Sequence, residues 1–240
     1  MQLDEKWSFV GKKEKRCDGA AADLFRGDQW DHVALDADTR LVLSVVVGKR
    51  TAENVELLVE EVRRRLGGRV PELVTSDEYA PYADALRGLF GREETPPRTG
   101  QPGRPAGPRV VPPEGMTYAT VHKTREGNRV VRVEERVVFG ELPTGTKVST
   151  SYLERHHGTD RHRNARKGRK TYRFSKSWET HAAMTEYTLY SYNFCWPVRT
   201  LRAKSEAGVW RKRTPALAAG LTDHIWTLEE WLTLPATVQR

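Results

Sequence analysis

Apolar and polar positions alternate over residues 3–10 (LDEKWSFV), the two-residue period of a half-buried strand. Apolar, β-branched runs follow at 32–36 (HVALD) and 41–47 (LVLSVVV), joined by the turn residues Ala37-Asp38-Thr39, and predict a strand pair. The period then becomes helical, with Val55, Leu58, Val59, Val62 and Leu66 recurring at three- and four-residue steps. Thr51 stands where an N-cap is needed with Asn54 three residues on, and Gly67-Gly68 ends the helix. A short apolar strand, 70–75 (VPELVT), runs into Ser76-Asp77, and 79–90 predicts the next helix. Three strands, a helix, a strand and a helix give an α/β order with both antiparallel and parallel pairs expected.

Residues 91–116 are rich in Pro and Gly and predict an irregular excursion. A second strand pair is expected at 117–124 and 129–139, turned at Glu126-Gly127-Asn128. The whole of 91–148 is expected to stand outside the central sheet as an insertion. A helix start falls among Ser149, Thr150 and Ser151, and a long aromatic-rich helix covers 177–195, ending before Pro197. Its aromatics and their neighbours (Trp178, Tyr187, Tyr190, Tyr192, Phe194, Trp196) suit packing on a sheet better than base stacking. The expected organisation is one domain over 1–198 and a basic extension over 199–240. That extension carries Arg199, Arg202, Lys204, Arg211, Lys212 and Arg213, then a short helix with Trp226 and Trp231.

A chain of 240 residues can bury a sizeable core, and its formal net charge of +8 is concentrated rather than spread. That favours a polyanionic partner such as nucleic acid. Two cysteines exclude a disulfide framework and a four-cysteine zinc module. No run approaches the length of a membrane span, so a soluble, cytoplasmic protein without a membrane partner is expected. The most basic stretch is Glu154–Lys176, with nine Arg or Lys, three His and only one further acid, Asp160. A solvated helix face mixes its charges to limit self-repulsion; this one does not.

One carboxylate beside so much positive charge suggests a metal-binding acid held over a polyanion. Asp4 in the first strand and Asp77 at the carboxyl end of 70–75 could join Glu154, since open α/β sheets place ligands at strand ends. Hard cations such as Mg²⁺ take oxygen ligands and are held by a few carboxylates plus water and substrate phosphates. Composition does not separate Asp4 from Glu5, or Asp77 from Glu78. A zinc site from His156, His157 and His162 is disfavoured, because neighbouring histidines on a helix point apart.

Three ordered pieces carry a resemblance: Asp4-Glu5-Lys6-Trp7, Thr75 to Tyr82 (TSDEYAPY), and Glu154 to Lys167 with Phe174 to Ser177. Together they look like DDE transposases of the insertion sequence 1 family, over most of residues 3–200. The resemblance implies a ribonuclease-H-like mixed sheet flanked by helices, with the 91–148 insertion between the second and third acids. It implies a catalytic triad of Asp4, Asp77 and Glu154 holding two Mg²⁺ or Mn²⁺ ions. The chemistry implied is hydrolysis at a DNA end followed by attack of the freed 3′-hydroxyl on a target phosphate. Arg161, seven residues after Glu154, becomes the first candidate for the terminal phosphate. Arg155, His157, Arg163, Arg166, Lys167, Arg169 and Lys170 complete the expected DNA contacts. His157 stands where the motif usually has Asn.

The implied partners are DNA, both element ends and target, and a second copy of the chain, with a nucleoid-associated location. Relatives of this kind usually carry an upstream DNA-binding region, whereas the first motif here begins at the fourth residue. The catalytic frame of a split gene or a truncated copy is therefore expected. A non-catalytic DNA-binding relic and a ribonuclease-H-like nuclease are the rival expectations.

Overall fold

The alternating first strand becomes β1 (Gln2–Val10), paired antiparallel with β2 (Gly27–Leu35) from Gln2↔Leu35 to Val10↔Gly27. This is a computed structural model that describes residues 1–96, 107–127 and 129–234. β2 starts five residues earlier than its apolar run, because Gly27, Asp28, Gln29 and Asp31 leave Trp30 as a lone hydrophobic position there. β3 (Val42–Gly48) adds antiparallel to β2. In α1 (Ala52–Arg65) the Thr51 hydroxyl accepts the Asn54 N–H, and Val55, Leu58, Val59 and Val62 are buried. Gly67 and Gly68 end it at φ +61° and +78°, a region open to glycine at little cost.

The chain returns as β4 (Leu73–Asp77), parallel to β1 through Gln2↔Thr75 and Leu3↔Ser76, and continues into α2 (Pro81–Phe90). A small hairpin of β5 (Arg92–Glu94) and β6 (Arg109–Val111) follows. β7 (Thr117–Glu126) then pairs parallel with β4, and β8 (Arg129–Phe139) antiparallel with β7. The result is a mixed six-stranded sheet, ordered β3-β2-β1-β4-β7-β8.

The expectation that 91–148 stands outside the sheet is corrected here. Thr117 to Val121 are buried throughout, and Tyr118 packs on Phe139 at 5.6 Å, so β7 is a sheet strand with β8 as its edge. The mixed charges of β8 (RVVRVEERVVF) resemble a free hairpin because the far side of an edge strand faces water. Residues 97–106 of the Pro/Gly-rich stretch, and Asn128 of the predicted turn, lie outside the described residues.

Helices cover both faces. On one, α1 and α2 bury Leu3, Ala34, Val74 and Tyr118. On the other, Leu153 of α3 (Ser151–Arg163) and Leu189 and Tyr192 of α4 (Trp178–Cys195) bury Val33, Leu35, Val42 and Val45. Asn193 clamps α4 to β3: its amide accepts from Val42 N and donates to Val42 O, each at 2.9 Å. The tail forms β9 (Ala203–Lys204), β10 (Trp210–Arg211), α5 (Pro215–Ala218) and α6 (Leu228–Thr233). Trp226 and Trp231 set it against α4, with ring centroids 4.7 and 5.4 Å from Phe194. Among the described residues no helix is long and apolar enough to cross a membrane.

Candidate acidic site and its basic surround

Strand alternation divides β1 into two working faces. Gln2, Asp4, Lys6 and Ser8 face α3 and α4, while Leu3 and Glu5 face α1 and α2. Gln2 fixes the start of α3 by accepting from Leu153 N at 2.8 Å and donating to Ser149 O at 2.5 Å. Glu5 accepts from Tyr82 Oη at 3.0 Å and Arg50 Nε at 2.7 Å on the opposite side. The strand period thus separates Asp4 from Glu5, which composition could not do.

Asp77 closes β4, and the Leu3↔Ser76 pairing sets it beside Asp4. Its neighbour Glu78 turns away to His122 and to Arg136, the latter at 2.7 Å. Glu154 projects from the first turn of α3 and accepts from Thr150 Oγ1 at 2.7 Å. Between these acids stands a residue the motif reading missed, Lys123 of β7. Its ammonium donates to Glu154, lies 3.7 Å from Asp77 Oδ1 and feels the charge of Asp4. Lys123 therefore bridges Glu154 and Asp77, with Asp4 beside them within electrostatic reach.

The electrostatics follow from this crowding. Burial pushes Asp4 up to about 6, Glu154 adds to the rise, and the Glu5 N–H at 2.8 Å opposes it. Asp77 is raised as well, first by burial and then by Asp4. Burial also acts to raise Glu154, but hydrogen bonds from Lys123 and Thr150 outweigh it and hold that carboxyl below its ordinary value. Half-desolvated carboxylates that raise each other's pKa are stabilised by a cation among them.

The residues fit a hard divalent ion in two respects. The Lys123 ammonium already places positive charge between Asp77 and Glu154, and Asp77 Oδ1 is buried without a hydrogen-bond partner. Among the described residues no three His, Cys, Asp or Glu side chains converge as a ready-made metal group. Lys123 would have to withdraw for an ion to enter. It sits near the outer half of β7 on a four-carbon stem, with 22 % of its side chain exposed, and can do so.

Behind the acids lies a second cluster that the sequence did not announce. Lys6 Nζ bonds to Asp160 and lies 3.1 Å from Asp31 Oδ2, while Lys167 Nζ lies 2.6 Å from Asp31 Oδ2 and 3.7 Å from Asp160 Oδ2. All four side chains are at most 1 % exposed. Two cations and two anions balance, tying β1, β2, α3 and the turn after it. Burial would raise Asp31, but Lys167 and Lys6 outweigh it and hold the carboxyl well below its ordinary range.

Lys167 is consequently spent inside the protein, which corrects its expected place among the phosphate contacts. His157 is corrected likewise. It is buried, pushed down to about 3 by desolvation and so neutral, with Nε2 3.2 Å from Asp4 Oδ2. Neither of its ring nitrogens has a hydrogen-bond partner. Its neighbour His156 packs edge-on against Tyr192 at 4.6 Å. Arg163 lies 3.4 Å over the Trp196 ring, and burial lowers it to about 10. It packs on α4's end. Arg155, Arg169 and Lys170 are exposed, and Arg166 and Arg161 are half-buried. Arg161 is within electrostatic reach of Asp4 and Asp31.

No family model matches the chain, and no curated protein matches it.

Proposed function

We propose that the chain is a transposase catalytic domain of the insertion sequence 1 type, cutting and joining DNA with two Mg²⁺ or Mn²⁺ ions at Asp4, Asp77 and Glu154. One observation carries this reading: Lys123 bridges the Asp77 and Glu154 carboxylates, from β4 and α3, and Asp4 of β1 stands beside them within electrostatic reach. Strand order supports it, since three antiparallel strands followed by parallel neighbours suit a ribonuclease-H-like core. When bound, the ions would activate the attacking oxygen and neutralise charge on the phosphate. The chain's own part is positioning. β1 and β4 present Asp4 and Asp77 side by side, α3 brings Glu154, and Arg161 stands on the same helix to grip a terminal phosphate. Exposed Arg155, Arg169 and Lys170, with Arg166, would hold the duplex backbone and make binding salt-dependent.

The deciding experiment gives the purified chain a pre-cut duplex end with a free 3′-hydroxyl, target plasmid and Mg²⁺. Joined product is expected. Hydrolysis without joining would point to a nuclease. Binding without either would favour a DNA-binding relic, a reading that Lys123 seated among the acids also suits.

Two further outcomes are expected of the same site. Affinity for Mn²⁺ should rise as pH goes from 5 to 7.5, because the ion needs the Asp4 carboxylate and protons compete for it below about 6. Calorimetric titration at the two pH values reads this directly, and a flat profile would remove Asp4 from the site. Lys123→Met should tighten Mn²⁺ binding by about tenfold or more, since an ammonium no longer competes for the carboxylates. Weaker binding in that variant would mean that Lys123 holds the acids in place instead of competing with the ion.

A further inference from the structure

Beyond the acids, on the opposite sheet face, the odd-numbered side chains of β1 continue as Trp7 and Phe9. Trp30 of β2 is the cross-strand partner of Trp7, so both rings project to one side. None of these rings belongs to a core cluster, and all three are half-buried. The apolar core on this face stops at Leu3, and Tyr82 of α2 reaches on to the buried Glu5. Phe174 extends the row: ring centroids run 5.9 Å from Trp7 to Phe9 and 4.8 Å from Phe9 to Phe174.

Cations flank this row. Lys13 Nζ is 5.9 Å from the Trp7 ring, Lys176 Nζ 2.9 Å from Phe174, and the Arg50 guanidinium 5.1 Å from Trp30. Glu5 pairs with Arg50. The other nearby acids are also engaged: Glu14 holds Lys49 at 2.7 Å, and Asp28 accepts from Glu14 N at 3.2 Å. Lys13 and Lys176 are left as the row's positive edge. An aromatic face edged with cations is matched to unpaired nucleobases on a phosphate backbone.

Its position also has meaning. β4 pairs with β1 only at Gln2 and Leu3, so Glu5 to Phe9 have no strand partner on that edge among the described residues. Trp7 lies three residues past Asp4, about 10 Å along the strand, a reach of one or two nucleotides. A strand leaving the acids can cross this edge between Leu3 and the Val10–Ser175 bridge and meet the rings.

We infer that the Trp7–Trp30 face binds unpaired bases of a DNA strand, the stretch next to the bond that the acidic site would cut. Its location relative to the cut rests on the proposed function; the binding itself does not.

The test needs no metal and no cleavage. Fluorescein-labelled single-stranded dT12 is titrated with the full chain in EDTA, followed by anisotropy, beside a duplex of the same length. Trp7→Ala and Trp30→Ala should each weaken dT12 binding about tenfold while duplex affinity holds, and Trp7→Phe should recover most of it. Unchanged dT12 affinity, or equal losses on dT12 and duplex, would overturn the inference. So would tighter binding of the matching RNA strand. Should the variants misfold, photocrosslinking of a 5-iodouracil strand to the wild-type chain decides: adducts are expected at Trp7 or Trp30, and adducts confined to 155–170 would overturn it. Crosslinks here without strand transfer would sink the transposase reading alone, and strand transfer without them would sink this site alone.

Discussion

Asp77→Asn is expected to lower metal-dependent cleavage and joining by more than about 100-fold, the loss already seen when only an outer partner of a metal ligand is removed. The amide keeps the shape of the side chain but loses the charge that holds a cation. Duplex binding should be unaffected, because the basic surface is untouched. The informative control is Glu78→Gln, one residue away and equally acidic. Glu78 is committed to His122 and Arg136 on the other side, so its loss should leave cleavage near the wild-type rate. Gel assays of end cleavage with both variants check this. If Asp77→Asn cuts normally, or if both variants fail alike, the acids around Lys123 are not the reacting centre.

Asp31→Ala should cost about 3–5 kcal/mol, because it strands Lys6 and Lys167 in the interior without their shared counter-charge. For a chain of this size that is a fall in Tm on the order of 10 °C. The second variant sharpens the test. Asp31→Leu with Lys167→Met leaves Lys6 and Asp160 as a balanced pair and should recover most of the loss, since a buried ion pair adds little over apolar packing. Thermal melts of the single and double variants measure the difference, and a double variant as unstable as the single would rule out uncompensated charge. The sign with pH is also set. Asp31 is depressed in the folded state, so its contribution is full above about pH 4, the ordinary carboxylate range, and is lost as pH falls toward the folded value.

Much of the fold was legible because it rests on periodicity. The alternation of β1, the helical steps of α1 and the Thr51 cap all appear where the pattern puts them. The hairpin at 117–139 was placed correctly along the chain but not in space. A hydrophobic pattern tells that a strand has a buried side, not which strand it pairs with, and β7 was decided by its parallel register with β4. The same holds for the basic segment. Its nine cations read as one surface, yet Lys167 turned inward to Asp31, Arg163 onto Trp196, and α3 ended at Arg163.

The sequence by itself determined the α/β order, the strand ends where acids could sit, and a strongly basic segment after Glu154. These depend on neighbours within a few residues, where backbone period and capping are local. Only the tertiary structure decided which acids meet. Asp4 rather than Glu5, and Asp77 rather than Glu78, follow from which sheet face each side chain takes. Lys123, 31 residues from Glu154 in the chain, joined them because β7 lies next to β4 in the sheet. Coulomb energy depends on distance in space and on desolvation, and neither is written in the spacing of residues along a chain.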